Sequence, residues 1–197
     1  MSESDREKWN SKYAQRISSS NAAPDDWLIE CGQSINQLVA DDQPSNRAID
    51  IACGLGQNSI WLAQHGWKVD GVDVSSVGLA FAEKQATYSD CAITWLEADL
   101  DNWLPAENSY DLAIVFRFLD RLTIPKIVNH GLKSGCWLIY ETFAAGQLDR
   151  SGSHIQNPAF TLSPGELPIL FPDFDIIEFR EDSLKDREVQ RLFARKK

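Results

Sequence analysis

Positive charge is scarce in this chain. Lysine and arginine together number 19 against 29 aspartates and glutamates, a formal net charge of −10. Proteins that grip a phosphate backbone present a basic face, so the deficit argues against a nucleic-acid partner. The basic residues from Arg187 to Lys197 read instead as a solvated end strand. Long apolar runs are missing too. Nothing approaches the roughly 18 consecutive residues that a membrane span needs, and the polar start MSESDREKWN lacks the pattern of a secretory signal. A cytoplasmic protein with no membrane partner is the expectation. Cys31, Cys53, Cys91 and Cys136 are scattered, with no C-x-x-C pair, which speaks against a zinc or redox centre. Isolated thiols of this kind suit a reducing compartment. His65, His130 and His154 are equally dispersed, and no metal is expected.

What is present is the pattern of one α/β domain over residues 1–197. Trp9, Tyr13 and Ile17 recur on one helix face, with Ser4 and Glu7 at capping-box spacing. After a loop over 18–26, Trp27, Cys31, Ile35 and Leu38 line a second helix. From Arg47 the rhythm becomes short apolar runs alternating with helical segments. AIDIACG, WKVDGVDV, AITWLEADL, YDLAIVFRF and CWLIYETF read as five strands. Helices are expected from about Gln57 to His65 with a stop at Gly66, from an N-cap at Ser75 to about Gln85, and from Pro125 to Gly131. Such alternation predicts a doubly wound parallel sheet. FDIIEFRED and REVQRLFARK, joined by a polar turn without a helix, predict a C-terminal antiparallel hairpin, making a mostly parallel seven-stranded sheet. The long stretch 144–165 before the hairpin predicts a functional loop, read as a substrate cover.

The chemistry concentrates at strand ends. Asp50-Ile51-Ala52-Cys53-Gly54-Leu55-Gly56-Gln57-Asn58 hands a strand over to a helix, and its glycines allow a sharp turn and close approach to a ligand. Asp50 inside an apolar strand is costly without partners. Asp73 closes the second strand, where a nucleotide site of this topology puts an acid on the ribose hydroxyls. Asp99 follows the third strand, placed to accept from an adenine amine. Ser59 holds the position at which a nicotinamide dinucleotide site carries a third glycine. That favours a phosphate-free ligand.

DIACGLGQNSIWLA, GVDVS, EADL and YDLAIVF resemble the successive motifs of class I S-adenosylmethionine-dependent methyltransferases. The reversed final hairpin is also a hallmark of that family. REKWNSKYAQ, together with YETF…GQ…NPAFTLSPGEL, resembles the small tellurite-resistance and thiopurine-type members.

The resemblance implies S-adenosylmethionine as cofactor and in-line methyl transfer to a small acceptor. It places Gly54 and Gly56 under the methionine part, Asp50 as the anchor of their loop, and Asn58 beside it. Asp73 falls on the ribose with Val74 against the adenine, and Asp99 and Leu100 at the adenine edge. Phe116 and Arg117 fall near the sulfonium. Trp9, Lys12 and Tyr13 lie on an N-terminal helix that closes over the cofactor, within a lid spanning residues 1–40. Ala52 stands where many relatives have glycine, and Lys12 where arginine is expected; lysine keeps the charge but loses the planar fork.

Arg117 and Arg121, with Asn157 on the cover, are the expected substrate contacts, and an anionic acceptor would suit the two arginines. No catalytic base is assigned, because Asp120, Tyr140, Glu141 and Glu166 each read first as structural. The rival readings are a non-catalytic S-adenosylmethionine-binding sensor on the same scaffold and, less favoured, an NAD-dependent oxidoreductase.

Overall fold

The computed structural model describes residues 3–16, 23–38 and 46–197. Two helices, α1 (Glu3–Arg16) and α2 (Asp26–Leu38), precede the alternating part. That part runs β1 (Arg47–Ile51), α3 (Gln57–Gln64), β2 (Lys68–Asp73), α4 (Ser76–Tyr88), β3 (Ile93–Glu97), β4 (Tyr110–Phe116), α5 (Thr123–Gly131) and β5 (Leu132–Phe143). A short α6 (Glu166–Ile169) leads into the hairpin of β6 (Phe174–Ser183) and β7 (Glu188–Lys196).

The seven strands lie in the order β3-β2-β1-β4-β5-β7-β6. β1 to β5 pair in parallel, while β7 runs antiparallel between β5 and β6. Strand order therefore reverses between β1 and β4, which opens a crevice at the carboxyl ends of the strands.

Side-chain alternation along the central strands divides the core in two. Ile49, Ile51, Ala113 and Val115 face α5, where they meet Ile124, Ile127 and Val128. Ala48, Leu112, Ile114 and Phe116 face the other way, onto Trp27, Leu28, Cys31 and Ile35 of α2 and Leu62 of α3. The near-continuous apolar runs of β1 and β4 are what a strand covered on both sides requires.

Several boundaries differ from expectation. α1 is already helical at Glu3, so Ser4 lies inside its first turn instead of capping it. α4 continues to Tyr88, about one turn past Gln85, held at its start by the Ser75 hydroxyl accepting from the Gly78 N–H at 3.1 Å. β5 starts at Leu132, four residues before Cys136, because the chain passes from α5 straight into pairing with Tyr110. Ile17, part of the loop over 18–26, and residues 39–45 lie outside the described residues, as does the side chain of Leu38.

The cover stretch contains two 3-10 turns, Ala145–Asp149 and Pro158–Phe160. Its two ends are tied together. The Ala145 N–H donates to the Leu162 carbonyl at 2.9 Å, and the Leu162 N–H donates to the Phe143 carbonyl at 2.8 Å.

Candidate active site

The turn after β1 sets the shape of the site. Ala52, Gly54 and Gly56 all hold left-handed backbone, at φ 58°, 57° and 78°. Two of the three are glycine, which adopts this conformation freely; Ala52 pays a steric penalty there. A Cβ on Gly54 would stand 2.7 Å from the Tyr13 hydroxyl oxygen, and one on Gly78 would stand 3.0 Å from the Tyr13 ring and from the Gly54 carbonyl. The Tyr13 ring thus wedges between the glycine turn and α4. The glycine at 56 serves packing: a Cβ there would strike Ala82 and Trp95, each at 2.7 Å.

Two buried acids support this turn, and the one that bonds its backbone is Asp73. Asp50 was expected to anchor the loop, but its carboxylate instead accepts from the Ser59 hydroxyl at 2.6 Å. Asp73 performs the anchoring. One of its oxygens accepts the Gly54 N–H at 2.9 Å and the other the Ser75 N–H at 2.8 Å. Burial raises the Asp73 carboxyl above its ordinary value, partly countered by those N–H donors. Burial also pushes Asp50 up to about 7, against the lowering effect of the Ser59 hydroxyl. Ser59, where a dinucleotide site has glycine, is buried and committed to Asp50.

α1 is fastened over the turn. The Asn10 side-chain oxygen accepts from the Ser75 hydroxyl at 2.6 Å. Trp9 stacks on Tyr13 at 5.6 Å between centroids, and the Lys12 ammonium sits 4.6 Å over the Trp9 ring. The Lys8 ammonium lies 5.8 Å from the Phe160 ring, so α1 and the cover loop meet.

Between them runs a cleft of about 970 Å³. It gathers Trp9, Lys12 and Tyr13 from α1, and Asp50, Ala52, Gly54 and Asn58 from β1 and its turn. Asp73 and Val74 after β2, Phe116 and Arg117 at the end of β4, and Asn157 on the cover loop complete the expected set within it.

Four expected residues do not line the cleft among the described residues. Gly56 packs as above. Leu100 is a core residue, 1% exposed. The Asp99 carboxylate is occupied locally by the Asp101 N–H and the Asn102 amide. Arg121 is a correction to the substrate assignment: its guanidinium donates to Glu166 at 2.5 Å, to the Ala159 carbonyl at 2.9 Å and to the Thr161 carbonyl at 2.8 Å. It clamps the cover loop to α6. Asn157 accepts from the Ala159 N–H and caps a 3-10 turn.

The largest feature not foreseen is a charge network under the cleft. Arg117, in left-handed backbone at φ 57°, donates its N–H to the Glu141 carbonyl at 2.8 Å and its guanidinium to Asp25 at 2.5 Å. Arg187 bridges Asp25 (3.3 Å) and Glu141 (3.0 Å), and Arg191 joins Glu141 (2.8 Å) to Asp182 (3.0 Å). An acid within an apolar strand was a usable signal at Glu141, as it was at Asp50. Asp25 and Arg187 carried no local signal, because they flank elements far apart in sequence.

Residues 48–130 match the family described as a methyltransferase domain. A stretch of 30 residues is 60% identical to the ribosomal RNA small subunit methyltransferase C of Alcanivorax borkumensis, covering 15% of this chain and 9% of that protein. Over 142 residues the chain is 25% identical to TehB of Haemophilus influenzae, named a probable S-adenosyl-L-methionine-dependent methyltransferase, covering 69% of this chain and 48% of TehB. The chain spans less than half the length of each of these curated relatives. The crystal structure of magnesium protoporphyrin IX methyltransferase from Synechocystis PCC 6803 with bound SAH superposes with a TM-score of 0.73 at 20% identity, over 98% of both chains. Residues 48–130 thus match a methyltransferase domain, the chain resembles TehB over 142 residues, and its fold is that of the Synechocystis enzyme.

Proposed function

We propose that this protein binds S-adenosylmethionine in the cleft and transfers its methyl group to a small acceptor. The observation that carries the reading is the glycine turn held by Asp73 beneath Tyr13: the missing Cβ at Gly54 lets Tyr13 close on the turn, and Ala52, Gly54 and Tyr13 line the cleft together. The residues present fit the cofactor. Each Asp73 oxygen has accepted one N–H and keeps further acceptor capacity for a ribose hydroxyl. Val74 offers an apolar face beside it, and no phosphate-cradling third glycine is present.

When bound, the cofactor supplies an activated methyl on a cationic sulfur. The chain's own part is to position the acceptor and keep water away. α1 and the cover loop wall the cleft from solvent. Arg117 and Arg187 are the cationic groups at the strand ends, and an acceptor bearing an acidic group is the one they suit. Such a group would join a network in which Asp25 and Glu141 already face these arginines, so the anion would share the guanidinium groups and not displace their partners.

Calorimetry with S-adenosylmethionine, S-adenosylhomocysteine, NAD and NADP tests the ligand. The first two bind and the dinucleotides stay silent; tight NAD binding overturns the reading. A panel of small acceptors scored by S-adenosylhomocysteine release tests the reaction. Binding without release on any acceptor would favour a sensor, and turnover on RNA alone would remove the small-acceptor assignment.

A further inference from the structure

Asp25 is a buried carboxylate, 6% exposed, at the start of α2. It does not line the cleft among the described residues, yet it touches three groups that do. Its carboxylate accepts from Arg117 at 2.5 Å, from Arg187 at 3.3 Å and from the Asn58 side-chain amide at 3.1 Å, and its own backbone N–H donates to the Asn58 side-chain oxygen at 2.9 Å. Asn58 lies in the first turn of α3, directly after the glycine turn. One side chain therefore joins the helix that follows the cofactor turn to two arginines at the other strand ends.

Arg117 needs such a partner. Its backbone is left-handed, a state that a non-glycine residue keeps only where its surroundings over-determine it. Its side chain is long, and fixing it costs rotamer entropy. A buried carboxylate holding one guanidinium nitrogen removes that freedom. The remaining donors of the planar group are then set in one orientation. Asp25 is the buried member of the pair, and Arg117 reaches it from the cleft side, so losing Asp25 frees the guanidinium while losing Arg117 leaves Asp25 with Arg187.

We propose that Asp25 is a positioning residue for methyl transfer: it holds Arg117 in the orientation that receives the acceptor, and through Asn58 it keeps that orientation in register with the cofactor turn. The inference rests on the methyl-transfer reading above.

The test compares wild type, Asp25→Asn, Arg117→Ala and the double variant, with an acceptor found in the panel. Asp25→Asn and Arg117→Ala each lower kcat/KM by about tenfold or more, chiefly through the acceptor's KM, a change matching the loss of a charged hydrogen bond. The double variant falls no further than Arg117→Ala alone. Affinity for S-adenosylhomocysteine falls by less than kcat/KM does, since Asp25 reaches the cofactor turn only through Asn58. Asp25→Glu, which keeps the charge, recovers part of what Asp25→Asn loses. Additive losses, or a lower Tm in Asp25→Asn with unchanged kinetics per folded molecule, overturn the proposal. A second measurement needs no acceptor. In the protein saturated with S-adenosylhomocysteine, exchange of the Arg117 guanidinium protons, read by NMR, rises at least about tenfold in Asp25→Asn; unchanged exchange also overturns the proposal. Raised exchange, with no methyl transfer by wild type to any acceptor, upholds the hold on Arg117 and counts against the methyl-transfer reading alone.

Discussion

Asp73 and Gly54 are 19 residues apart in sequence and one hydrogen bond apart in space, the Gly54 N–H donating to the Asp73 carboxylate at 2.9 Å. The acid at the end of β2 therefore shapes the turn as well as facing the cleft. Replacing it removes two buried hydrogen bonds to a charged acceptor, each worth roughly 1.5–3 kcal/mol. Asp73→Ala is expected to weaken cofactor binding at least about tenfold and to lower Tm together with it. Calorimetry beside thermal melting checks this. Loss of affinity with an unchanged Tm would mean that the Gly54 bond adds nothing to the fold.

Ala52 should gain from losing its methyl group. At φ 58° an alanine bears a penalty that glycine escapes, on the order of 1 kcal/mol. Glycine's greater freedom in the unfolded chain returns part of that. Ala52→Gly is expected to be neutral or mildly stabilising, by up to about 0.5 kcal/mol. Ala52→Val, branched at Cβ, is expected to destabilise. Urea midpoints of the three proteins decide; a clearly destabilised glycine variant contradicts the backbone argument.

Asp50 makes stability depend on pH in an unusual direction. Its folded value of about 7 lies above the ordinary carboxylate value, chiefly because burial disfavours the charge. Between the unfolded and folded values the native state holds the extra proton, so this group's contribution falls as pH rises from about 4 to about 7 and is constant outside that window. The slope approaches 1.4 kcal/mol per pH unit in the middle of the window. Asp73, raised in the same direction, adds to the loss. Asp50→Asn should flatten the melting curve against pH between 5 and 7 (taking ~1.4 kcal/mol per unit as the ceiling). A slope identical to wild type would mean that the Asp50 proton is not the one lost.

α1 is expected to matter more to the cofactor than to the fold. Neither Trp9 nor Tyr13 is among the fully buried core residues, unlike Trp27 on α2, which is 0% exposed. Tyr13→Ala opens the space above Gly54 and should cost about tenfold in S-adenosylhomocysteine affinity. It should shift the Tm of the ligand-free protein far less than Trp27→Ala does. Equal Tm losses would make α1 an ordinary part of the core.

The strand and helix order was readable from the sequence because the local signals agreed with the global fold. Apolar runs stopped at glycine, Ser75 capped α4, and a strand pair without an intervening helix announced the hairpin. The glycine turn and the acid after β2 were readable for the same reason, lying within one βαβ unit. What escaped was contact between distant segments. Nothing near Arg117 shows that its partner is Asp25, 92 positions away. Nothing near Arg121 shows that Glu166 and two carbonyls of the cover loop will take its donors. Asp50 and Asp73 are both buried acids at neighbouring strand ends, and only the register of β1 against β2 decides that the Gly54 N–H meets Asp73 and not Asp50.

The hydrogen bonds that tie Ala145 and Leu162 to each other and to the end of β5 make a closed base, from which the cover loop leaves and to which it returns. Between these ends the loop is held to the sheet at its start, where Gln147 accepts from the Glu188 N–H and Arg150 pairs with Glu188, and near its end by Arg121. Extra length costs it little, about 0.6 kcal/mol for each doubling of a flexible segment. The wall formed by His154, Asn157 and Phe160 lies between these two anchorages, with Phe160 at the second. Lengthening or replacing the stretch between the two anchorages is expected to leave the pairing of β5 with β7 intact.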